Sequence, residues 1–154
     1  MTTAKSILTR RQTGVLLHIT SLPGKPDHGD LGQDAYRFID FLAECGVSVW
    51  QILPIGPTHT DNSPYQCLSA HAGHPDLIDL DWLAAQGWLS AADLVADGSQ
   101  DWSAHRKACL TKSSAAFRKD SKHRLQSAYR KFCREQDSWL PDYALFMALR
   151  GQLS

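Results

Sequence analysis

Residues 14–54 read GVLLHITSLPGKPDHGDLGQDAYRFIDFLAECGVSVWQILP, and this stretch decides the fold. Gly14 to Ile19 is a short apolar run bounded by turn formers, the pattern of a buried strand. Thr20-Ser21-Leu22-Pro23-Gly24 ends it, and a loop continues to Gly29. Asp30 then reads as an N-cap, with Gln33 three residues on as the reciprocal partner of a capping box. Ala35, Phe38, Ile39 and Leu42 follow at helical spacing, and Gly46 closes the helix as a C-terminal glycine does. Val47 to Leu53 is a second strand, rich in β-branched residues, and Pro54 terminates it. Strand, helix, strand is a βαβ unit, so the two strands are expected to be parallel with a right-handed crossover. Both loops that follow the strands, 20–29 and 54–75, then open on the carboxyl edge of the sheet, where ligands bind in α/β folds. The second loop is far longer than the usual 2–6 residues. Loops of that length in compact folds tend to serve function.

Upstream, residues 1–13 are polar and read as loosely ordered. Downstream, Asp79 is placed to cap a helix carrying Leu80, Leu83 and Ala84 and ending at Gly87. Ser90 and Asp93 form a second capping-box start for a short helix stopping near Gly98. Further helices are expected over 103–119 and 123–136. The latter has an apolar stripe of Leu125, Ala128, Tyr129, Phe132 and Cys133. Pro141, in the first turn of a last helix, precedes Tyr143 to Leu149, apolar nearly all round, with Gly151 as its end. Such a helix wants burial on several sides.

The long loop contains Asp61-Asn62-Ser63-Pro64-Tyr65-Gln66. A sugar ring has an apolar C–H face and a rim of hydroxyls. An aromatic ring covers the first and polar side chains pair the second, and Asn62, Ser63, Tyr65 and Gln66 supply that mixture. The competing interpretation is a β-turn set by Asn, Ser and Pro with Tyr65 folded back on the core, and residue types alone favour it. His71 and His74 lie near His59, Asp61 and Cys67, all metal-ligand types, but no four-ligand spacing accompanies them, so satisfied loop histidines are expected and no metal. GxGxxG, P-loop and GxSxG patterns are absent, which leaves nucleotide binding and an esterase elbow without support.

Sixteen Lys and Arg balance sixteen Asp and Glu across 154 residues, of which 43% are hydrophobic. The neutrality is uneven. Residues 1–104 carry a net −7, residues 105–134 a net +9, and residues 135–154 a net −2. A uniformly basic nucleic-acid binder is thereby excluded. The basic segment holds Arg106, Lys107, Lys112, Arg118, Lys119, Lys122, Arg124, Arg130, Lys131 and Arg134. It is read as the solvated face of two helices, because the charges interleave with apolar positions; a phosphate-backbone patch is the alternative. No run approaches the roughly 20 apolar residues of a membrane span. Four scattered cysteines, Cys45, Cys67, Cys109 and Cys133, without a CxxC pair or an apparent leader, fit reduced thiols and a cytoplasmic protein.

The stretches RQTGVLLHITSLPG, GDLGQDAYRFIDFLAECGVSVWQILPIGPT, NSPYQCLSAHAGHPDLIDLDWL and WLPDYALFMAL resemble, in order, the amino-terminal part of amylomaltases, the 4-α-glucanotransferases of the α-amylase clan. The resemblance runs from about Arg11 to Arg150. It implies an α/β fold, the first part of a (β/α)8 TIM barrel with a helical inserted subdomain, incomplete in this chain. Residues 14–78 would form the first two β/α units with substrate loop 54–75, and residues 79–154 the helical insertion region. It implies transfer of an α-1,4-glucan segment to glucose or another glucan by retaining chemistry, with two carboxyl groups roughly 5–5.5 Å apart and no organic cofactor. The partners are then α-1,4-glucans, maltooligosaccharides and glucose, with no nucleic acid and no membrane. Tyr65 matches the family tyrosine that packs against the sugar at the cleavage site, and Ser63 a position close to the glucan. Asn62 and Gln66 are candidates by proximity. His71 and His74 stand where many relatives have an aromatic residue and an Asn. The family's nucleophile Asp, acid/base Glu and transition-state Asp match no residue here and lie downstream, so these 154 residues are expected to be an amino-terminal portion inactive by itself. A stand-alone α-glucan-binding module is the alternative, and a nucleic-acid-binding protein using helices 105–134 a weaker one.

Overall fold

The computed structural model describes residues 11–24, 28–96, 101–121 and 124–153, with the side chains of Gln152 and Leu153 left aside. Much of the loosely ordered start expected over 1–13, the helix end near Gly98, and Lys122 of the basic segment lie outside the described residues. The chain divides into two compact units. The first comprises Met1–Cys67 and Gly73–Asp79, the second Leu68–Ala72 and Leu80–Ser154.

In the first unit, β1 (Gly14–Leu16) and β2 (Val49–Gln51) pair in parallel, with Val15 opposite Trp50. The parallel pairing expected of the two strands is present, but both strands are three residues long where six or seven were anticipated. After Leu16 the chain keeps one more ladder bond, Leu17 N–H to Gln51 carbonyl. It then turns into a 3₁₀ segment at Ile19–Ser21, which uses the backbone groups a longer strand would have paired. Gln12 and Thr13 are tied to Ser48: its hydroxyl donates to Gln12 Oε1 at 2.8 Å and its N–H to the Thr13 carbonyl.

Helix α1 (Gln33–Glu44) begins later than the capping-box pattern suggested. Gly32 occupies the N-cap position, and the Asp30 carboxylate accepts from the Gly32 N–H at 2.9 Å, two residues too early to cap the first turn. Asp30 shapes the approach to the helix and does not serve as its cap. The C-terminus is as anticipated: Gly46, at φ +72°, lets its own N–H and that of Val47 return to the carbonyls of Ala43 and Leu42, a Schellman closure. The helix meets the sheet through Phe38, edge-on to Trp50 at 5.0 Å, while Trp50 Nε1 donates to the Leu17 carbonyl. Ala35 and Leu42 are buried, with Ile19, Leu22 and Leu77. Ile39, read as part of the same stripe, is exposed.

The second unit is built from α2 (Leu80–Ala85), α3 (Trp102–Lys119), α4 (Gln126–Glu135) and α5 (Leu140–Leu153). Gly87, at φ +80°, closes α2 in the same Schellman manner, with Trp88 N–H on the Leu83 carbonyl. The capping pair at Ser90 and Asp93 is present, but it opens a 3₁₀ turn over Ala91–Leu94, not an α-helix. Asp93 also pairs with Lys112 of α3, Nζ to Oδ2 at 2.7 Å. The core consists of Leu80, Leu83, Trp88, Leu89 and Cys109, flanked by Leu94, Leu110, Phe117 and Leu125.

Two further expectations change here. Arg106, read as part of a solvated basic face, is only 3% exposed. The inward side of α3 is His105, Arg106, Cys109 and Ser113, so polar residues carry the packing and charge does not mark the wet face. The last helix continues through Gly151 to Leu153. Leu145, Phe146 and Leu149 on α5 are exposed, as are Tyr129 and Phe132 on α4, so the apolar surface of α5 that wants burial stays uncovered among the described residues.

Candidate functional site

The four candidate residues sit on one loop whose shape follows from local hydrogen bonds. Within the first unit, an isolated antiparallel bridge joins Thr58 to Cys67 and closes the loop at its waist. Inside it, the Asn62 N–H bonds to the His59 carbonyl and the Gln66 N–H to the Ser63 carbonyl, two successive turns. The Asp61 carboxylate accepts from the Ser63 N–H at 3.2 Å, the local bond that favours Asp at turns. Asn62 takes φ +54°, a left-handed conformation that Asn tolerates better than most side chains. Cys67 Sγ contributes a bond to the Pro64 carbonyl at 3.1 Å.

These bonds turn the intervening side chains outward. Tyr65 is 75% exposed, which removes the interpretation in which it folds back on the core. Asn62 and Gln66 are also exposed and Ser63 is half-buried. The loop therefore presents an aromatic face beside amide and hydroxyl groups on a backbone stiffened by turns. The loop leaves β2 at the carboxyl end of the parallel pair, as anticipated from the βαβ order.

The two histidines have structural partners. His74 sits at the loop's base: its N–H donates to the Ile55 carbonyl at 2.7 Å. Its Nδ1 accepts from the Asp76 N–H at 3.1 Å, and its Nε2 lies 3.4 Å from Thr58 Oγ1. With Nδ1 accepting, neutral His74 carries its proton on Nε2 and donates to Thr58. His71 belongs to the second unit, where its ring stacks on Trp139 with centroids 5.4 Å apart. Sequence reasoning could not reach that stack, because its partners are 68 positions apart. Among the described residues, no group of three or more His, Cys, Asp and Glu is arranged to hold a metal ion.

His18 follows β1 at the same sheet edge. Burial, then the charges of His28 and His74, lowers its pKa below the usual 6.5. The unfolded chain therefore takes up this proton first as pH falls, and His18's contribution to stability is complete above 6.5 and declines below it. We expect the His18 ring resonances to titrate below 6.5 in an NMR pH series; a midpoint at or above that value would contradict the packing described here.

A family model described as 4-alpha-glucanotransferase matches residues 17–154. The 4-alpha-glucanotransferase of Synechocystis sp. is 44% identical over 152 residues, which cover 94% of this chain and 30% of that protein. That of Thermus thermophilus is 42% identical over 145 residues, 92% of this chain and 29% of that protein. The structure of an amylomaltase from Streptococcus agalactiae in complex with acarbose superposes with a TM-score of 0.81 at 38% identity, over 93% of this chain and 30% of that one. This chain thus spans about 30% of the length of the relatives it matches. Sequence and structure agree over nearly all of the chain's own length, and the chain belongs to the 4-alpha-glucanotransferase family.

Proposed function

We propose that these residues supply the substrate loop and the first two β/α units of a (β/α)8 barrel in a 4-α-glucanotransferase. Residues 14–78 form those units and residues 79–154 the helical insertion region. The enzyme cleaves an α-1,4-glucan, holds the glycosyl group covalently and passes it to glucose or another glucan with retention of configuration. Tyr65 covers the apolar face of a glucose ring, Ser63 pairs with its hydroxyls, and Asn62 and Gln66 extend the polar rim. The observation that carries this reading is the exposed Tyr65 on a loop closed at Thr58 and Cys67. The acarbose bound by the Streptococcus agalactiae amylomaltase supports a glucan as the ligand.

Three carboxylates have structural roles: Asp30 holds Gly32, Asp61 holds Ser63, and Asp93 pairs with Ser90 and Lys112. From the family resemblance, and from the 30% of the relatives that the chain spans, we assign the nucleophile and the acid/base to the part of the enzyme these residues do not match, and no transfer activity to this chain alone. A nucleic-acid role is not favoured, since Arg106 is buried, Lys112 is paired with Asp93 and Lys131 lies 3.6 Å from Glu135. Four free thiols support a cytoplasmic setting.

Calorimetric titration of the folded chain tests this. Maltoheptaose is expected to bind and an α-1,6-linked glucan of equal length to bind far more weakly. A folded chain indifferent to maltoheptaose at millimolar concentration, or one whose strongest ligand is RNA, would overturn the reading.

A further inference from the structure

Three hydrogen bonds meet on His74 within the first unit. Its backbone N–H donates to the Ile55 carbonyl at 2.7 Å, its Nδ1 accepts from the Asp76 N–H at 3.1 Å, and its Nε2 lies 3.4 Å from Thr58 Oγ1. The two ring nitrogens thus face two different parts of the unit. The Asp76 side is anchored. Asp76 belongs to the 3₁₀ turn Pro75–Leu77, in which Leu77 is buried, and the Leu77 carbonyl accepts from the Leu31 N–H at 3.0 Å. The Thr58 side belongs to the loop. Thr58 bridges to Cys67, whose Sγ donates to the Pro64 carbonyl at 3.1 Å, and Pro64 lies between Ser63 and Tyr65. An imidazole is flat, and its two nitrogens keep a fixed separation and direction. The ring is therefore a rigid strut between the anchored turn and the waist of the loop. Most of its surface is withheld from water, which strengthens both bonds.

We propose that His74 is a positioning residue: its neutral imidazole, with the proton on Nε2, braces the Thr58–Cys67 waist against the anchored turn, so that Ser63 and Tyr65 are presented to a glucan in one arrangement. The brace itself stands on these bonds; its consequence for binding rests on the glucan reading above. A loop released at its waist populates more arrangements, and the fraction competent to bind reduces the apparent affinity in proportion. Breaking the strut should thus weaken binding without removing Ser63 or Tyr65. One hydrogen bond of this kind corresponds to roughly a two- to tenfold effect.

The test uses the full chain as wild type, Thr58→Val, Thr58→Ser, His74→Asn and the double variant Thr58→Val/His74→Asn. Asn keeps an acceptor for the Asp76 N–H but is too short to reach Thr58, and Ser keeps the hydroxyl that Val lacks. The first readout is the nitrogen-15 spectrum of the His74 ring at about pH 8, where histidine is ordinarily neutral. A bare Nδ1 and a protonated Nε2 are expected, and the opposite tautomer would overturn the brace. The second is amide hydrogen exchange at Asn62 and Gln66, whose N–H groups bond within the loop. Exchange there is expected to quicken roughly two- to tenfold in Thr58→Val and in His74→Asn, and no further in the double variant, because all three lack the same bond. Thr58→Ser should keep the wild-type rates. Additive effects, or loop exchange unaltered in Thr58→Val, would overturn the brace. Leu31, whose N–H marks the anchored side, should exchange as in wild type throughout. Equal quickening at Leu31 would make the pair a general fold contact and overturn the proposal. The third readout is maltoheptaose affinity, expected to weaken by a similar factor in Thr58→Val and His74→Asn and to recover in Thr58→Ser. A loosened loop with undiminished affinity would overturn the positioning role. A wild-type chain that binds no maltoheptaose refutes the glucan reading and with it the positioning role, while the tautomer and exchange still decide the brace.

Discussion

Replacing Tyr65 with alanine is expected to weaken maltooligosaccharide binding by roughly 30-fold while leaving the urea midpoint of the chain unchanged. The estimate follows from area. A phenol ring that covers one face of a glucose removes on the order of 80 Å² of apolar surface from water, worth about 2 kcal/mol at 25 cal/mol per Å², and 1.4 kcal/mol is tenfold in affinity. Stability is spared because the side chain is 75% exposed and packs against little. Tyr65→Phe keeps the ring and should retain most of the affinity. Calorimetry with maltoheptaose checks the first part and urea unfolding the second. A Tyr65→Ala chain that binds sugar normally would remove Tyr65 from the site; one that unfolds would return it to the core.

Trp88→Ala is expected to have the largest effect on stability, about 3–5 kcal/mol. Trp88 is 9% exposed. It meets Trp82 of α2 edge-on at 5.8 Å and Phe117 of α3 at 5.1 Å, and Phe117 in turn meets Tyr129 of α4 at 5.5 Å. Its backbone N–H completes the closure of α2 on Leu83. Trp88 thus joins α2 to α3, and Phe117 carries the aromatic run on to α4. Domains of this size have only 5–15 kcal/mol in hand, so the variant should leave the second unit largely unfolded at moderate urea. Far-UV circular dichroism across a urea series measures this, and a loss below about 1 kcal/mol would show that the aromatic run is not the centre of that unit.

How much of this was legible depends on the kind of signal each element carries. Gly46 and Gly87 were readable as helix ends because a positive φ after a helix selects glycine almost regardless of context. The parallel pair was readable because two apolar runs flank an amphipathic helix. Strand length was not, since Leu17 and Ile19 are as apolar as strand residues although the backbone turns at Ile19. Asp30 misled because an acidic residue before a helix can bond at several offsets, and here it reached Gly32. The inward face of α3 was invisible to hydrophobic periodicity, as His105, Arg106 and Ser113 share it with Cys109. For the loop, length and residue types marked the segment, and the family resemblance singled out Tyr65 and Ser63. That Tyr65 faces solvent depends on the bridge from Thr58 to Cys67, and the His71 stack depends on Trp139, distant contacts that no local pattern announces.

The glucan contact is assigned to loop 54–75. Backbone amide NMR of the full chain during a maltoheptaose titration tests it most directly. The largest shift changes are expected on Ser63, Tyr65 and Gln66, saturating together and leaving α3 and α4 undisturbed. Changes centred on the basic residues of α3 and α4, with the loop silent, would contradict it.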